Sequence, residues 1–323
     1  MRAGPGALAL ARRAPGRSGL DCAALADLAL LFLTLCWGTT FALVKQALGI
    51  ASPGVFLAAR FAVAAAVLGA VWAVRRPALG PGFWRHAVLL GLTMLGGFAF
   101  QTVGLRFTTP ARSGFFTGLC VLVVPVVARF FLGRRVRAAF WMGAAFAVAG
   151  LLFLTRPFAE QGVPELVQLG DLLTFVCALV YGLQVTFTSE WAPRHPLVPF
   201  VTVQVLVTLA GALVMIPLEG ARLDPAGLLP FAAVVGYTGV VMTAGAFFVM
   251  NWGQRHTTAV RAALIFALEP AAAAVFSWLY AGEPLGPLDW LGGGLVVLGV
   301  VVGEVGGLLE GRGATVGAGG DPA

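Results

Sequence analysis

Ten apolar runs, each near the ~20 residues that a helix needs to cross a bilayer, dominate this 323-residue chain. They lie at about 26–46, 53–74, 87–105, 110–132, 138–155, 170–190, 197–218, 229–252, 259–281 and 288–305. Only 11% of the residues are charged and 59% are hydrophobic, with a mean hydropathy of +0.92. A soluble domain carries roughly 25% charged residues, so the chain has too little polar surface to face water and is expected to be covered by lipid. The predicted fold class is all-α integral membrane, with ten transmembrane helices.

The net charge of +7 and pI of about 10.0 would suggest a nucleic-acid partner in a soluble protein. Here the basic residues sit in short clusters between apolar runs, as topology signals do. With the N-terminus inside, the inner segments hold Arg2, Arg12, Arg13, Arg17, Arg75, Arg76, Arg85, Arg134, Arg135, Arg137, Arg194, Arg255 and Arg312. The outer loops hold Arg106, Arg156 and Arg222, with Lys45 and Arg112 at outer helix ends. This bias predicts a multi-pass plasma-membrane protein with both termini cytoplasmic and no nucleic-acid role. Residues 1–25 lack the long apolar core of a secretory signal and read as a flexible leader. Residues 306–323, rich in Gly, read as a flexible tail. Cys22, Cys36, Cys120 and Cys177 form no CxxC or Cys/His cluster, so no metal or cofactor is expected.

The chain repeats itself. Segment 96–151 aligns without a gap on 245–300, an offset of 149. Gly96, Phe98 and Gly104 match Gly245, Phe247 and Gly253, and Arg106-Phe-Thr-Thr matches Arg255-His-Thr-Thr. Arg112, Leu119, Trp141 and Gly150 match Arg261, Leu268, Trp290 and Gly299. The first and sixth runs align at an offset of 144, placing Asp27 on Asp171 and Trp37-Gly38 on Tyr181-Gly182. Matched Arg, Trp and Thr-Thr are not what apolar composition yields by chance. The two units, 26–155 and 170–305, have five helices each. Five is odd, so the second copy enters the membrane inverted, an architecture of secondary transporters with the substrate site at the repeat interface.

Trp37-Gly-Thr-Thr-Phe41 with Lys45 resembles the first-helix motif of the EamA family in the drug/metabolite transporter superfamily. Arg60-Phe61, Gly114-Phe-Phe-Thr-Gly-Leu-Cys120 through Pro125, and Arg261-Ala-Ala-Leu through Leu268-Glu269-Pro270 to Gly282-Glu283-Pro-Leu285 resemble its second, fourth and ninth helices. The resemblance covers nearly all of 26–305. It implies a transporter of small metabolites or drugs, often an exporter, with a central cavity lined mainly by helices 1, 3, 4, 6, 8 and 9. The ninth helix here ends Gly-Glu-Pro where the family commonly has Gly-Glu-Arg.

Glu269 is the sharpest site candidate, because a carboxylate at the membrane midplane usually faces a cavity or a partner. Pro270 beside it removes a backbone donor and loosens the helix. The alternative is a carboxyl that ties helices together, with Arg60 as one possible donor. Arg60, in the second helix, is a cavity candidate that equally suits a structural ion pair, a bond to backbone carbonyls or snorkelling. Trp37 and Thr40 sit centrally in helix one, and Tyr181 is the mate of Trp37; all three are candidate cavity walls. Gln101 and Asn251 are amides that line a cavity or bond between helices. Arg112 and Arg261 are repeat mates on opposite membrane sides, candidate gates or interfacial anchors. Asp27, Asp171 and Asp289 open helices and are expected to cap them. His86, His195 and His256 fall near loops without ligand partners at metal spacing, and Gly292-Gly-Gly294 suits close helix packing.

No GxxxxGK[ST] motif occurs, so transport would draw on gradients, with protons at Glu269 as one coupling candidate. The expected function is a secondary active or facilitative transporter exporting small organic solutes by alternating access. The alternatives are an intramembrane enzyme, which needs paired acids, a His cluster or a nucleophile beside a base, and a non-transporting receptor or scaffold.

Overall fold

The computed structural model describes residues 17–156, 164–276, 278–279 and 285–316. Among these residues, nine helices are long and apolar enough to cross a membrane: Cys22–Ile50, Pro53–Arg75, Phe83–Phe107, Pro110–Leu132, Ala138–Thr155, Glu165–Arg194, Leu197–Glu219, Pro225–Gly253 and Ala259–Phe276. The shorter apolar helix Pro287–Gly303 supplies the tenth span. We call the face where the first span begins the near side and the face where it ends the far side.

Local chemistry sets several boundaries. Pro53 and Pro110 open their helices, where a missing N–H costs nothing. Thr109 and Thr258 accept from the backbone N–H of Arg112 and Arg261 at 3.3 and 3.2 Å, capping mated helices in the same way. Gly133 stops the fourth span in the left-handed region at φ 62°.

Two ends differ from the sequence expectation. The first helix begins at Arg17, because residues 18–25 contain no proline and are mostly small or apolar. The last helix runs to Val316, since no proline interrupts the chain until Pro322. Residues 1–16 of the leader, 317–323 of the tail and Gly282-Glu283-Pro284 of the ninth-helix motif lie outside the described residues.

The inversion is visible in the contacts themselves, which occur in mated pairs. A Cβ on Gly38 in the first span would stand 2.8 Å from Ala272 Cβ in the ninth. A Cβ on its mate, Gly182 in the sixth span, would stand 2.3 Å from Val123 Cγ1 in the fourth, and Val123 is the mate of Ala272. Gly104 packs on Thr174 and Gly253 on Leu30, again mates. The fifth and tenth spans cross on the pseudo-twofold axis itself. There Gly143 meets the Gly299 carbonyl and Gly150 meets the Gly292 carbonyl, at 2.4 and 2.5 Å from a built Cβ. Outside this packed interior, Phe32, Phe130, Leu218 and Leu229 are 70%, 80%, 80% and 82% exposed, as a lipid-facing surface requires.

Only one glycine of the 292–294 run makes the close approach: a Cβ on Gly293 or Gly294 meets nothing within 4 Å. Gly292→Leu is therefore expected to lower stability by about 1–3 kcal/mol or more, and Gly293→Leu to leave it near wild type. Thermal unfolding of the two purified variants in detergent reads the difference.

On the near side, His86 Nδ1 lies 2.8 Å from His195 Nε2. His86 stacks on Trp191 with ring centroids 4.5 Å apart, and Arg255 donates to the His195 carbonyl. Burial, followed by His86 and the charges of Arg194 and Arg255, pushes the His195 pKa below its ordinary value. A histidine kept neutral in the fold contributes stability in full above the unfolded pKa of about 6.5 and loses it as pH falls below that. The melting temperature is expected to drop between about pH 6.5 and 5, and His195→Gln to flatten that part of the profile.

Candidate functional site

Four spans are interrupted near the membrane centre, and the interruptions surround one space. The first span pauses at Thr39 between Arg17–Gly38 and Thr40–Ile50. The fourth pauses at Leu119 between Pro110–Gly118 and Cys120–Leu132. The ninth pauses between Ala259–Phe266 and Glu269–Phe276. Pro270 has no N–H to give the Phe266 carbonyl, which explains the ninth. The eighth carries a π-helical segment, Val240–Gly245. Such breaks survive in a membrane only where protein or a cavity satisfies the freed groups.

The central cavity holds about 930 Å³ of empty space, a figure that includes its open mouth. Both repeats line it. Aromatic walls come from Trp37, Phe41, Phe98, Tyr181, Phe247 and Phe266; polar groups come from Thr40, Arg60, Gln101, Thr117, Gln184 and Glu269. Of the seven cavity candidates read from sequence, Trp37, Thr40, Arg60, Gln101, Tyr181 and Glu269 lie on this one space. Asn251 stands behind it. Its Oδ1 accepts from Gln204 Nε2 at 3.4 Å and its Nδ2 donates to the Phe247 carbonyl at 2.9 Å. Gln204 in turn accepts from Gln184 at 3.3 Å, so the amides form a relay that backs the cavity wall. The relay explains why Asn251 is fully buried: a buried amide is spent on interhelical bonds.

Arg60 is 4% exposed, and its partners are not carboxylates. Nε donates to Thr243 Oγ1 at 2.6 Å, Nη2 donates to the Met242 carbonyl at 3.3 Å, and the guanidinium sits 4.7 Å from the centroid of Phe98. The π-helical segment supplies two of these three contacts. Its altered register turns the Met242 carbonyl toward the cavity side, where the Trp37 indole N–H also reaches it at 3.4 Å. Thr243 Oγ1 is held in place by its own bond to the Thr238 carbonyl at 2.8 Å. Arg60 thus uses its planar fork and its affinity for an aromatic face together, a combination that lysine cannot reproduce.

Glu269 is the first residue of its half-helix, where free N–H groups favour a negative charge. Among the described residues no cation pairs with its carboxylate. Arg60, one possible donor to it, is engaged instead by Thr243, Met242 and Phe98. Tyr181 lines the same space as both groups. Cys120, the mate of Glu269, also begins a half-helix and lines the same cavity. Gln101 Nε2 donates to Thr117 Oγ1 at 3.2 Å.

Both arginine mates are held in ion pairs that cross between the repeats. Arg112 pairs with Asp171, and Arg261 pairs with Asp27. This corrects the capping expectation for both aspartates: Asp27 lies inside Arg17–Gly38 and Asp171 beyond the first turn of Glu165–Trp191. Each is too deep in its helix to meet free N–H groups. Asp289 does sit in the first turn, with Oδ2 accepting from Gly286 N–H at 2.8 Å, and it also pairs with Arg156.

Sequence reasoning missed Phe98, Phe247 and Phe266 as walls, Gln184 and Thr117 as polar liners, and the Met242 carbonyl. The matched pair Phe98 and Phe247 was a usable signal for two of them. Thr243→Val is expected to leave a buried guanidinium N–H without its acceptor and to cost about 1.5–3 kcal/mol, read by thermal unfolding in detergent.

The model of the EamA-like transporter family matches residues 24–156 and 168–303. An uncharacterized transporter of Archaeoglobus fulgidus is 27% identical over 86% of this chain and 85% of its own length. The uncharacterized transporter YyaM of Bacillus subtilis is 26% identical over 84% and 91%. The uncharacterized inner membrane transporter YedA of Escherichia coli is 25% identical over 85% and 89%. One solved crystal structure superposes with a TM-score of 0.73 at 22% identity, covering 87% of this chain and 98% of that one, which is a likeness of fold.

Proposed function

We propose, for a chain that belongs to the EamA-like transporter family, that this membrane transporter moves small organic solutes outward by alternating access at the central cavity. The observation that carries this reading is one cavity, walled by both inverted repeats, that holds Arg60, Tyr181 and Glu269 among aromatic rings. A site on the axis between inverted halves can be exposed to either side by exchanging the conformations of the halves. The aromatic walls suit a solute with an apolar body, and the few convergent polar groups suit its orientation. Trp37, Thr40 and Gln101 act as further contacts, with Asn251 holding the wall behind them.

The arginine-rich inner loops support a cytoplasmic location for both termini in the plasma membrane. On that orientation the near side is cytoplasmic. Glu269, unpaired by any cation among the described residues, suits a proton carrier that couples export to a gradient.

Comparing metabolites in the medium of cells overexpressing the wild type and Glu269→Gln identifies the solute. Wild-type cells are expected to accumulate one compound outside. In liposomes, Glu269→Gln is expected to reduce flux of that compound about tenfold or more and to abolish its pH dependence. Unchanged flux with unchanged pH dependence would remove Glu269 from the coupling role, and no substrate-dependent flux by the folded wild type would favour a receptor or scaffold.

A further inference from the structure

The same cluster of residues occurs twice, once at each end of the cavity. On the far side it comprises Asp171 of the second repeat with Thr108, Thr109 and Arg112 of the first. On the near side it comprises Asp27 of the first repeat with Thr257, Thr258 and Arg261 of the second. Every member has its mate at the offset of 144 or 149. Each cluster crosses between the repeats, so neither forms without the other half of the protein.

The two copies are not in the same state. On the far side the Asp171 carboxylate accepts from Arg112 Nε at 3.2 and 3.1 Å, from Arg112 Nη2, and from Thr108 Oγ1 at 2.7 Å. Both charged side chains are 9% exposed. On the near side Arg261 Nη2 meets Asp27 Oδ2 at 2.8 Å, and the side chains are 37% and 18% exposed. Among the described residues, Asp27 Oδ1 and Thr257 Oγ1 are buried and make no hydrogen bond of ordinary geometry, although the Thr257 side chain lies near enough to interact with the Asp27 carboxylate. Thr108 bonds Asp171 at 2.7 Å, whereas its mate Thr257 makes only a looser contact with Asp27. Thr257, Thr258 and Arg261 instead border a second cavity of about 1640 Å³, open mouth included, that lies on the near side.

The threonine caps on Arg112 and Arg261 are equally formed, so the arginine-bearing helix starts are alike. What differs is the aspartate end: Asp171 is buried and held by both Arg112 and Thr108, whereas Asp27 is more exposed and pairs with Arg261 through Oδ2. A buried carboxylate oxygen and hydroxyl without a well-formed bond are costly, and a small approach of the first span toward the ninth would complete it.

We propose that these clusters are two latches of one exchange: the far latch is closed and the near latch part-open in this structure, and transport alternates which of them is made. The inference rests on the alternating-access reading above and adds the residues that set the side to which the cavity opens. Inverted repeats supply the reason for exclusivity, because the opposite access state is reached when each half takes the other's conformation. Asp27 and Asp171 are the positioning residues, since they lie on the first and sixth spans that carry Trp37 and Tyr181.

The test reads solvent access in the full-length protein in lipid nanodiscs and needs no substrate. Cys22, Cys36, Cys120 and Cys177 are replaced by Ala, and Val44→Cys, toward the far side, or Ala263→Cys, toward the near side, is the reporter; both positions line the cavity. Maleimide labelling rates give a far-to-near ratio. Asp171→Asn is expected to raise the ratio roughly tenfold, Asp27→Asn to lower it, and the exchange Asp171→Arg with Arg112→Asp to return it toward wild type. Where Asp171→Asn does not elute as a folded species, Thr108→Val removes one bond of the far latch and is expected to raise the ratio by less. A ratio unmoved by the folded far-side and near-side variants, or moved in the same direction by both, overturns the proposal. Unmoved ratios with intact flux overturn the latches alone, whereas opposite shifts in a protein without flux overturn the transport reading alone.

Discussion

The close packing contacts between the two halves of this molecule are made twice, once in each sense, because the halves are alike and inverted. That reciprocity governs the packing. Gly38 on Ala272 requires Gly182 on Val123; Gly104 on Thr174 requires Gly253 on Leu30. Without a hydrophobic drive between helices in lipid, close backbone approach and interhelical polar bonds hold the bundle. Both are most economical on a symmetric interface, where one favourable arrangement counts for two. The crossing of the fifth and tenth spans is the limiting case, since each glycine there meets the mate of its neighbour.

Function enters where reciprocity fails. Glu269 faces the cavity from one half and Cys120 from the other. Arg60 has a guanidinium where its mate Gln204 has an amide, and that amide is absorbed into the relay with Gln184 and Asn251. The consequence is a cavity that takes a guanidinium from one half and a carboxyl group from the other, among aromatic rings. A site built by perfect symmetry would present matched groups and favour a symmetric solute. Broken symmetry gives a solute one orientation.

Architecture was legible in the sequence because it is written in quantities that add up along the chain: apolar length, loop charge, and an offset that recurs. Six cavity residues were legible because polar or bulky side chains in an apolar run need a reason to be there. The partners were not. Asp27 and Asp171 look like helix caps when only neighbours in sequence are considered, and their arginines lie in the opposite repeat. Asn251 and Gln101 are the same kind of signal, an amide in a membrane helix, yet one faces the cavity and the other supports it; only packing separates them. For Arg60 a bond to backbone carbonyls was among the readings, but no side-chain pattern announces that the carbonyl is that of Met242, with the Thr243 hydroxyl beside it.

The π-helical segment accounts for that carbonyl, and it also carries a trace of how the halves diverged. Downstream of it the repeats run at an offset of 149, beginning with Gly96 and Gly245. Upstream, the glycine of the third span that packs on Val207 is Gly91, and the glycine of the eighth span that packs on Val63 is Gly239. Val63 and Val207 are mates at 144, so these glycines are counterparts in space, yet they stand 148 apart. One residue has been gained by the eighth span relative to the third, and a helix absorbs one extra residue as a π turn. A one-residue difference in spacing between the two repeats thus falls in the segment whose main-chain oxygen meets Arg60 and Trp37.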